Sequence, residues 1–381
     1  MKTLLTDDFQ VFIKPAGARC NLRCSYCYYL KTSDIYSPDV KQVMDDETLE
    51  NCIKQLYLAS SGDTVLFTWH GGEPLLAGID FYEKVLSIQK KYLPQGKQFL
   101  NGIQTNGTMI TREWCELFAG NQFVVGISMD GPDVFHNAMR HTFNQLGSFK
   151  KTLKGYRLLR EYGINPEILC VVNFCNVKYP LEVYDFFKTL GANYITFLPL
   201  VEKNNNGVGE EVSQASVPAL EFGLFLSAIF DEWVKKDIGA VKIQIFEEAL
   251  RAAFNQKHSL CIFKERCGGV PVIEHNGDFY SCDHFVEKNR LLGNINERRL
   301  EYFLNHPAQK AFGDAKLNTL PHCCIQCEVR EMCNGECPKN RFIPSPDGES
   351  GLNYLCEGYK YFFNRCKPFV NSVAEVWKAK S

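Results

Sequence analysis

Seventeen cysteines in 381 residues constrain this chain more than any other feature. An odd number cannot all pair, and a reducing compartment would not keep disulfides in any case. The first residues, Met1-Lys2-Thr3-Leu4-Leu5-Thr6-Asp7-Asp8, turn acidic before an apolar signal core can form, so no export is expected. The most apolar stretch, residues 222–230, is far short of the ~20 residues of a membrane span. The expectation is a soluble, cytoplasmic chain with no membrane partner, whose cysteines bind metal. Lys and Arg number 42 against 44 Asp and Glu, a net charge of −2. A nucleic-acid binder would carry a basic excess, so that class is excluded.

Position separates ligands from packing residues. Three cysteines fall within eight residues, Cys20-x3-Cys24-x2-Cys27. Cys52, Cys115, Cys170, Cys175 and Cys366 stand alone and read as small buried hydrophobes. Cys52 shares an apolar helical stripe with Leu49, Ile53 and Leu56, and Cys170 sits within the strand-like Ile168-Leu169-Cys170-Val171-Val172. The others crowd into the last third of the chain.

Between these groups, apolar runs alternate with helical patterns. Strands are predicted at residues 11–13, 65–69, 99–104, 123–129, 168–172 and 194–200, each followed by a helix. Asp45 or Asp46, Thr111 and Ser148 are the expected helix caps. Val183, Phe186, Phe187 and Leu190 recur at helical spacing before a stop at Gly191. Six strand–helix units in series read as a parallel α/β sheet, too few for an eight-fold barrel, hence an open, partial one. Asn204-Asn205-Asn206-Gly207 reads as a loop. After the helix through residues 221–233 the pattern gives way to short elements, and a boundary is placed near residue 236, with domains at 1–235 and 236–381. Asn276-Gly277, between Val272-Ile273 and Phe279-Tyr280, signals a hairpin. This second region has little apparent core and should depend on metal.

The Cys20/Cys24/Cys27 group follows the first strand at its C-terminal end, where α/β sheets bind ligands. Three soft ligands fall one short of a closed tetrahedral zinc site, whereas a 4Fe–4S cluster can leave one iron open. With Tyr26 as the aromatic of Cys-x3-Cys-x-aromatic-Cys, the group resembles the signature of radical S-adenosylmethionine enzymes, whose open iron chelates that cofactor. His70-Gly71-Gly72-Glu73-Pro74 resembles the family's GGEP motif, and the resemblance implies that Gly72 and Glu73 engage the methionyl amine. It also implies cofactor contacts at Tyr26, at Ser128 and Asp130, with Arg140 placed to pair a carboxylate, and at Val201 in the last strand.

Cys324-x2-Cys327-x5-Cys333-x3-Cys337 is too dense for packing preference. With Cys261, Cys267, Cys282 and Cys356 it makes eight thiols, enough for two four-cysteine sites. Zinc is the alternative occupant, since CxxC pairs bind it too. The pattern resembles the SPASM domain, which carries two auxiliary 4Fe–4S clusters. That resemblance assigns Cys261, Cys267, Cys282 and Cys337 to the nearer cluster and Cys324, Cys327, Cys333 and Cys356 to the farther. Spacing favours Cys324 over its neighbour Cys323.

Over essentially its full length the chain resembles the anaerobic sulfatase-maturating enzymes. The matching stretches are Ile13-Lys14-Pro15-Ala16-Gly17, the GGEP segment, Gln104-Thr105-Asn106-Gly107-Thr108, Ser128-Met129-Asp130-Gly131-Pro132, Ser281-Cys282-Asp283-His284-Phe285 and Gly351-Leu352-Asn353-Tyr354-Leu355-Cys356. The resemblance implies a fold, a partial (β/α)6 radical SAM barrel followed by a SPASM domain, and an oxidoreductase that converts a Cys or Ser of a sulfatase to Cα-formylglycine. It implies three 4Fe–4S clusters, S-adenosyl-L-methionine, an unfolded or nascent sulfatase segment as substrate, an electron donor such as flavodoxin or ferredoxin, and a monomer. Asp283 takes the family's role of general base, and a carboxylate beside an anionic cluster should have a raised proton affinity. Tyr29 matches a tyrosine near the substrate. One rival is a peptide maturase forming thioether or carbon–carbon crosslinks, which often brings an N-terminal recognition domain. Only about nineteen residues precede Cys20. The other is a non-catalytic zinc or iron–sulfur interaction or electron-transfer protein, which the open three-cysteine site and GGEP oppose.

Anaerobically reconstituted protein should therefore hold about twelve irons, four per cluster. Replacing Cys20, Cys24 and Cys27 together by Ala should remove about a third of the iron and abolish cofactor cleavage. A preparation rich in zinc and poor in iron would refute the assignment of the last third.

Overall fold

The computed structural model describes residues 9–32, 35–36, 43–204 and 212–379. Residues 1–8, and Asn205, Asn206 and Gly207 of the polar loop, lie outside them. The strands in chain order are β1 (Phe12–Ile13), β2 (Thr64–Trp69), β3 (Gln98–Thr105), β4 (Val124–Ser128), β5 (Glu167–Val172), β6 (Tyr194–Pro199), β7 (Lys242–Ile243), β8 (Val272–Ile273), β9 (Asp278–Tyr280), β10 (Gly293–Asn294), β11 (Arg341–Pro344) and β12 (Ser350–Asn353). The six anticipated strands are all present, within a residue or so at each end. Among the described residues no helix is long and apolar enough to cross a membrane. The chain divides into two compact units, each assembled from segments far apart in sequence.

The first unit comprises residues 1–128, 140–166 and 268–313. Its strands lie in the order β10-β9-β8-β1-β2-β3-β4. From β1 through β4 they run parallel, in the register Phe12↔Thr68, Val65↔Phe99 and Gly102↔Val124. On its other edge β1 pairs in parallel with β8, from the cysteine-rich region, and β8 turns back antiparallel into β9. That turn uses the Asn276-Gly277 signal in a longer form than a two-residue loop. The Gly277 N–H donates to Glu274 O at 2.9 Å, with Gly277 at φ +89°. Asp45 caps the helix Asp46–Ala59 by accepting from the Thr48 N–H at 2.8 Å, and Thr111 caps Arg112–Gly120. Ser148 does not cap its helix. Its backbone is already helical (φ −98°, ψ −11°), so its hydroxyl turns away and donates to Arg140 O at 3.0 Å.

The second unit comprises residues 129–139, 167–267 and 314–381. It holds the parallel ladder β5-β6-β7 and the antiparallel hairpin β11–β12. Here the expectation of short elements without a core fails. The last helix, Cys356–Lys378, is 23 residues long and buries Tyr359, Phe362, Phe363, Cys366, Val370 and Ala374. Those positions recur at three- and four-residue steps; Pro368 in the interior breaks the local signal without ending the helix. Its partner is the helix Ala219–Lys236, and the two meet at Gly223 and Gly358. A Cβ on Gly358 would collide with the Ala219 carbonyl oxygen, and one on Gly223 with the Gly358 backbone. Phe230, Phe246 and Phe362 fill the crossing, with ring centroids 5.2 to 6.1 Å apart. Cys52, Cys115, Cys170 and Cys366 are completely buried, as isolated packing cysteines should be, whereas Cys175 is only half-buried, against expectation.

Gly358→Ala should therefore cost about 1–3 kcal/mol by overpacking a backbone crossing. Gly120→Ala, at a helix end with nothing within 4 Å of the added methyl, should be neutral to within about 0.5 kcal/mol. Thermal denaturation of the two variants tests the difference.

Candidate active site

In the first unit the site begins at a lysine that should not be buried alone. Lys14 follows β1 directly, and its N–H donates to Ile273 O at 2.9 Å, so the backbone continues along the β1–β8 seam. The side chain is wholly buried, and its ammonium lies 2.8 Å from Glu274 Oε1 and 2.6 Å from Asp283 Oδ1. Glu274 comes from the hairpin turn, and Asp283 from the short turn after Cys282. The second oxygen of Asp283 accepts from the Tyr29 hydroxyl at 2.6 Å and from the Tyr28 hydroxyl. The Tyr29 hydroxyl also lies 2.9 Å from His70 Nδ1, which accepts from the Gly71 N–H at the same distance. An accepting Nδ1 leaves the proton on Nε2, and burial lowers the His70 pKa, so the ring is neutral.

The electrostatics correct one expectation. Burial alone would raise the proton affinity of Asp283, but the Lys14 ammonium outweighs it and holds the carboxyl well below its usual range. Lys14 loses affinity to burial and regains more from Asp283 and Glu274, ending near 12. The phenols of Tyr28 and Tyr29 are raised by burial first and then by the Asp283 charge, so both stay protonated and donate. Sequence reasoning found Asp283 and Tyr29 but gave no part to Lys14, Tyr28, Glu274 or His70. A lysine ending an apolar strand was the available signal.

The GGEP turn packs against the approach to the first cysteines. Gly72 N–H donates to Gly17 O at 2.9 Å and Glu73 N–H to Arg19 O at 2.7 Å. A Cβ on Gly72 would collide with the carbonyl oxygens of Ala18 and Arg19, which is the physical reason for glycine there. Glu73 is fully buried; it accepts from Thr105 Oγ1 at 2.7 Å, Asn106 N at 2.8 Å and Leu75 N at 3.1 Å. Burial still raises it to about 7. Asn106 Nδ2 also reaches Cys20 Sγ at 3.6 Å, and the Leu22 N–H reaches the same sulfur at 3.4 Å. Arg140 is buried, its guanidinium 5.4 Å from the centre of the Tyr26 ring. Ser128 Oγ, at the end of β4, accepts from Gln104 Nε2 at 3.1 Å.

In the second unit Asp130 is buried and accepts from the Val171 N–H at 3.0 Å. Val201 is buried just beyond β6. Cys324, Cys333 and Cys356 act on one another electrostatically, as do Cys327 and Cys356, and Cys323 stands beside Cys324 and Cys356. Cys261 and Cys267 form another pair, and Lys316 feels both as well as Cys337. Cys282, in the first unit, precedes the turn that carries Asp283.

These thiols fit iron–sulfur clusters. Burial pushes Cys20 and Cys324 up to about 12 and Cys261 and Cys356 to about 11, so each needs a metal's charge to ionise. Backbone N–H groups of Tyr29 and Leu30 point at Cys27, and those of Val329 and Gly335 at Cys327 and Cys333. Such donors are what cluster sulfurs receive. Among the described residues no three His, Cys, Asp or Glu side chains converge closely enough for a single ion.

Comparison with known proteins agrees. Residues 15–184 match the radical SAM superfamily model and residues 261–328 the SPASM iron-sulfur cluster-binding domain. The chain is 44% identical over 375 residues to a serine-type anaerobic sulfatase-maturating enzyme of Bacteroides thetaiotaomicron, covering 95% of this chain and 90% of that protein. It is 32% identical over 367 residues to a cysteine-type enzyme of Clostridium perfringens, covering 96% and 98%. The solved structure of native anSMEcpe with bound AdoMet and Cp18Cys peptide superposes with a TM-score of 0.85 at 30% identity, covering 96% of this chain and 98% of that one. SuiB of Streptococcus suis bound to S-adenosylmethionine shares the fold alone, at 14% identity and a TM-score of 0.64. The chain belongs to the anaerobic sulfatase-maturating enzymes, radical SAM oxidoreductases that pair an α/β radical SAM domain with a SPASM domain.

Proposed function

We propose that this enzyme oxidises a Ser or Cys of a sulfatase segment to Cα-formylglycine, with Asp283 receiving the hydroxyl or thiol proton. The observation that carries the assignment of Asp283 is its buried carboxylate, kept ionised by Lys14 and oriented by two tyrosine hydroxyls. The oxidation removes one hydrogen atom, one proton and one electron from the side chain. When bound, the reduced cluster with S-adenosylmethionine supplies a 5′-deoxyadenosyl radical that takes the Cβ hydrogen, and the auxiliary clusters take the electron. Loss of that hydrogen makes the adjacent O–H or S–H far more acidic. A carboxylate of low proton affinity can then accept the proton, provided it is already ionised, which is what Lys14 secures. Tyr29 and Tyr28 remain donors throughout and fix the carboxylate plane. A serine gives the aldehyde directly; a cysteine gives a thioaldehyde, which water hydrolyses.

In this reading Cys20, Cys24 and Cys27 hold the first cluster, and Tyr26, Gly72, Glu73, Ser128, Asp130, Arg140 and Val201 surround the cofactor. An ammonium group beside Glu73 would restore its ionised form, which supports the methionyl amine as its partner. Cys261, Cys267, Cys282 and Cys337 hold one auxiliary cluster, and Cys324, Cys327, Cys333 and Cys356 the other. Residues 1–235 form the cofactor-cleaving domain and 236–381 the auxiliary one. The chain acts as a cytoplasmic monomer reduced by a flavodoxin- or ferredoxin-like donor.

Asp283→Asn keeps size and polarity but cannot take a proton. It should retain its iron and still cleave S-adenosylmethionine, while formylglycine formation falls by ~10²–10⁴. The test is peptide mass and 5′-deoxyadenosine yield with peptides bearing Ser and Cys at the target; near wild-type product overturns the role. Lys14→Met strands two buried carboxylates and should cost about 3–5 kcal/mol in thermal stability, part of it recovered by adding Glu274→Gln.

A further inference from the structure

The three residues between Cys333 and Cys337 all have left-handed backbone: Asn334 at φ +47°, Gly335 at +69° and Glu336 at +51°. L-residues visit this region singly, so a run of three persists only where its surroundings over-determine it. What holds it is one side chain. Arg341 opens β11, and its guanidinium donates to every carbonyl of the run: Nε to Gly335 O at 2.7 Å, Nη2 to Asn334 O at 2.8 Å and to Glu336 O at 3.4 Å. Nη1 donates to Lys316 O at 2.6 Å. A Cβ on Gly335 would collide with Nη2 and with Leu320, so only glycine admits the guanidinium. The opposite strand completes the clamp, since Asn353, paired with Arg341 across the hairpin, donates to Glu336 Oε2 at 2.6 Å. Asn334 Nδ2 is tied to Phe263 O at 2.8 Å.

Arg341's own hydrogen bonds all end on neutral carbonyls and orient the guanidinium, and the buried carboxyl of Glu336 offsets only part of its charge. Arg stays protonated whatever its surroundings. Its charge is felt by Cys324 and Cys333, and also by Cys267. In the ligand reading above, the first two belong to one auxiliary cluster and the third to the other. A fixed cation stabilises the form with more negative charge, which for an iron–sulfur cluster is the reduced one.

We propose that Arg341 is a positioning residue for the electron-accepting half of the reaction: it locks the left-handed link joining a ligand of one auxiliary cluster to a ligand of the other, and its charge raises the potential of both. The proposal rests on the assignment of Cys333 and Cys337 to different clusters. It makes no bond and breaks none; the electron it favours is the one the substrate already gives up.

The experiment is an EPR-monitored potentiometric titration of the anaerobically reconstituted holoenzyme, as wild type and as Arg341→Lys, Arg341→Gln and Arg341→Met. Either charge-free variant should move both auxiliary potentials downward by at least a tenfold change in reduction equilibrium, 59 mV for a one-electron couple. Arg341→Lys should recover at least half of the shift. Iron retained with both potentials unmoved overturns the proposal, and so does a shift confined to one cluster. Loss of iron in both charge-free variants, with Arg341→Lys intact, makes Arg341 a structural clamp and overturns its redox role. Zinc in these sites of the wild type overturns the ligand assignment beneath, which is a different failure and is read in the metal analysis.

Discussion

A buried ammonium in contact with two carboxylates holds the first unit together. Lys14 lies at the end of the central strand, Glu274 in the hairpin that extends the sheet beside it, and Asp283 in the turn beyond. Each charge would be prohibitive alone in that interior. Together, with two phenols supplying hydrogen bonds, they form a buried ion-paired cluster in which Glu274 Oε2 and Asp283 Oδ1 are left without a hydrogen-bond donor among the described residues. The hairpin cannot slip by a residue without turning Glu274 away from the ammonium, and Asp283 cannot rotate without losing the tyrosines. The same contacts that stabilise the sheet edge therefore set the charge and direction of the carboxylate proposed to take the substrate proton.

The second unit rests on a different principle. Its thiols are buried enough to resist ionisation, yet the helices Ala219–Lys236 and Cys356–Lys378 cross at bare glycine backbone and surround that crossing with phenylalanines. Hydrophobic packing and metal ligation are thus separate supports. The helical pair supplies a frame that meets the proposed clusters only at Cys356, the first residue of its second helix, and the loops that carry Cys324 to Cys337 lie beside it under local clamps such as Arg341.

Features whose chemistry demands fixed residue types at fixed spacing were legible in the sequence. The first cysteine triplet, the glycine of the GGEP turn and the parallel strands all followed from that logic, whereas the Ala18 and Arg19 carbonyls that press on Gly72 did not. Features set by partners distant in sequence were not. Lys14 gave no hint that it would be buried, because its counter-charges lie 260 and 269 positions later. For the same reason the charge of Asp283 was misjudged from its cysteine neighbour alone, since the larger influence comes from the far end of the chain. Ser148 has the right residue type for a cap but the wrong backbone. The last helix carried a regular aromatic stripe that dense cysteines and Pro368 obscured.

The separation of Lys14 from its partners has a consequence for biosynthesis. At ~5–20 residues per second, roughly 10–50 s pass between the emergence of the lysine and that of its two carboxylates. During that interval the central strand can pair with β2 but has no neighbour on its other edge, and the ammonium must remain in water. The first three cysteines thus emerge well before the carboxylate proposed to accept the substrate proton. Maturation of this enzyme is ordered by the ribosome: the segment that starts radical chemistry is made first, and the residue proposed to make that chemistry productive is among the last to arrive.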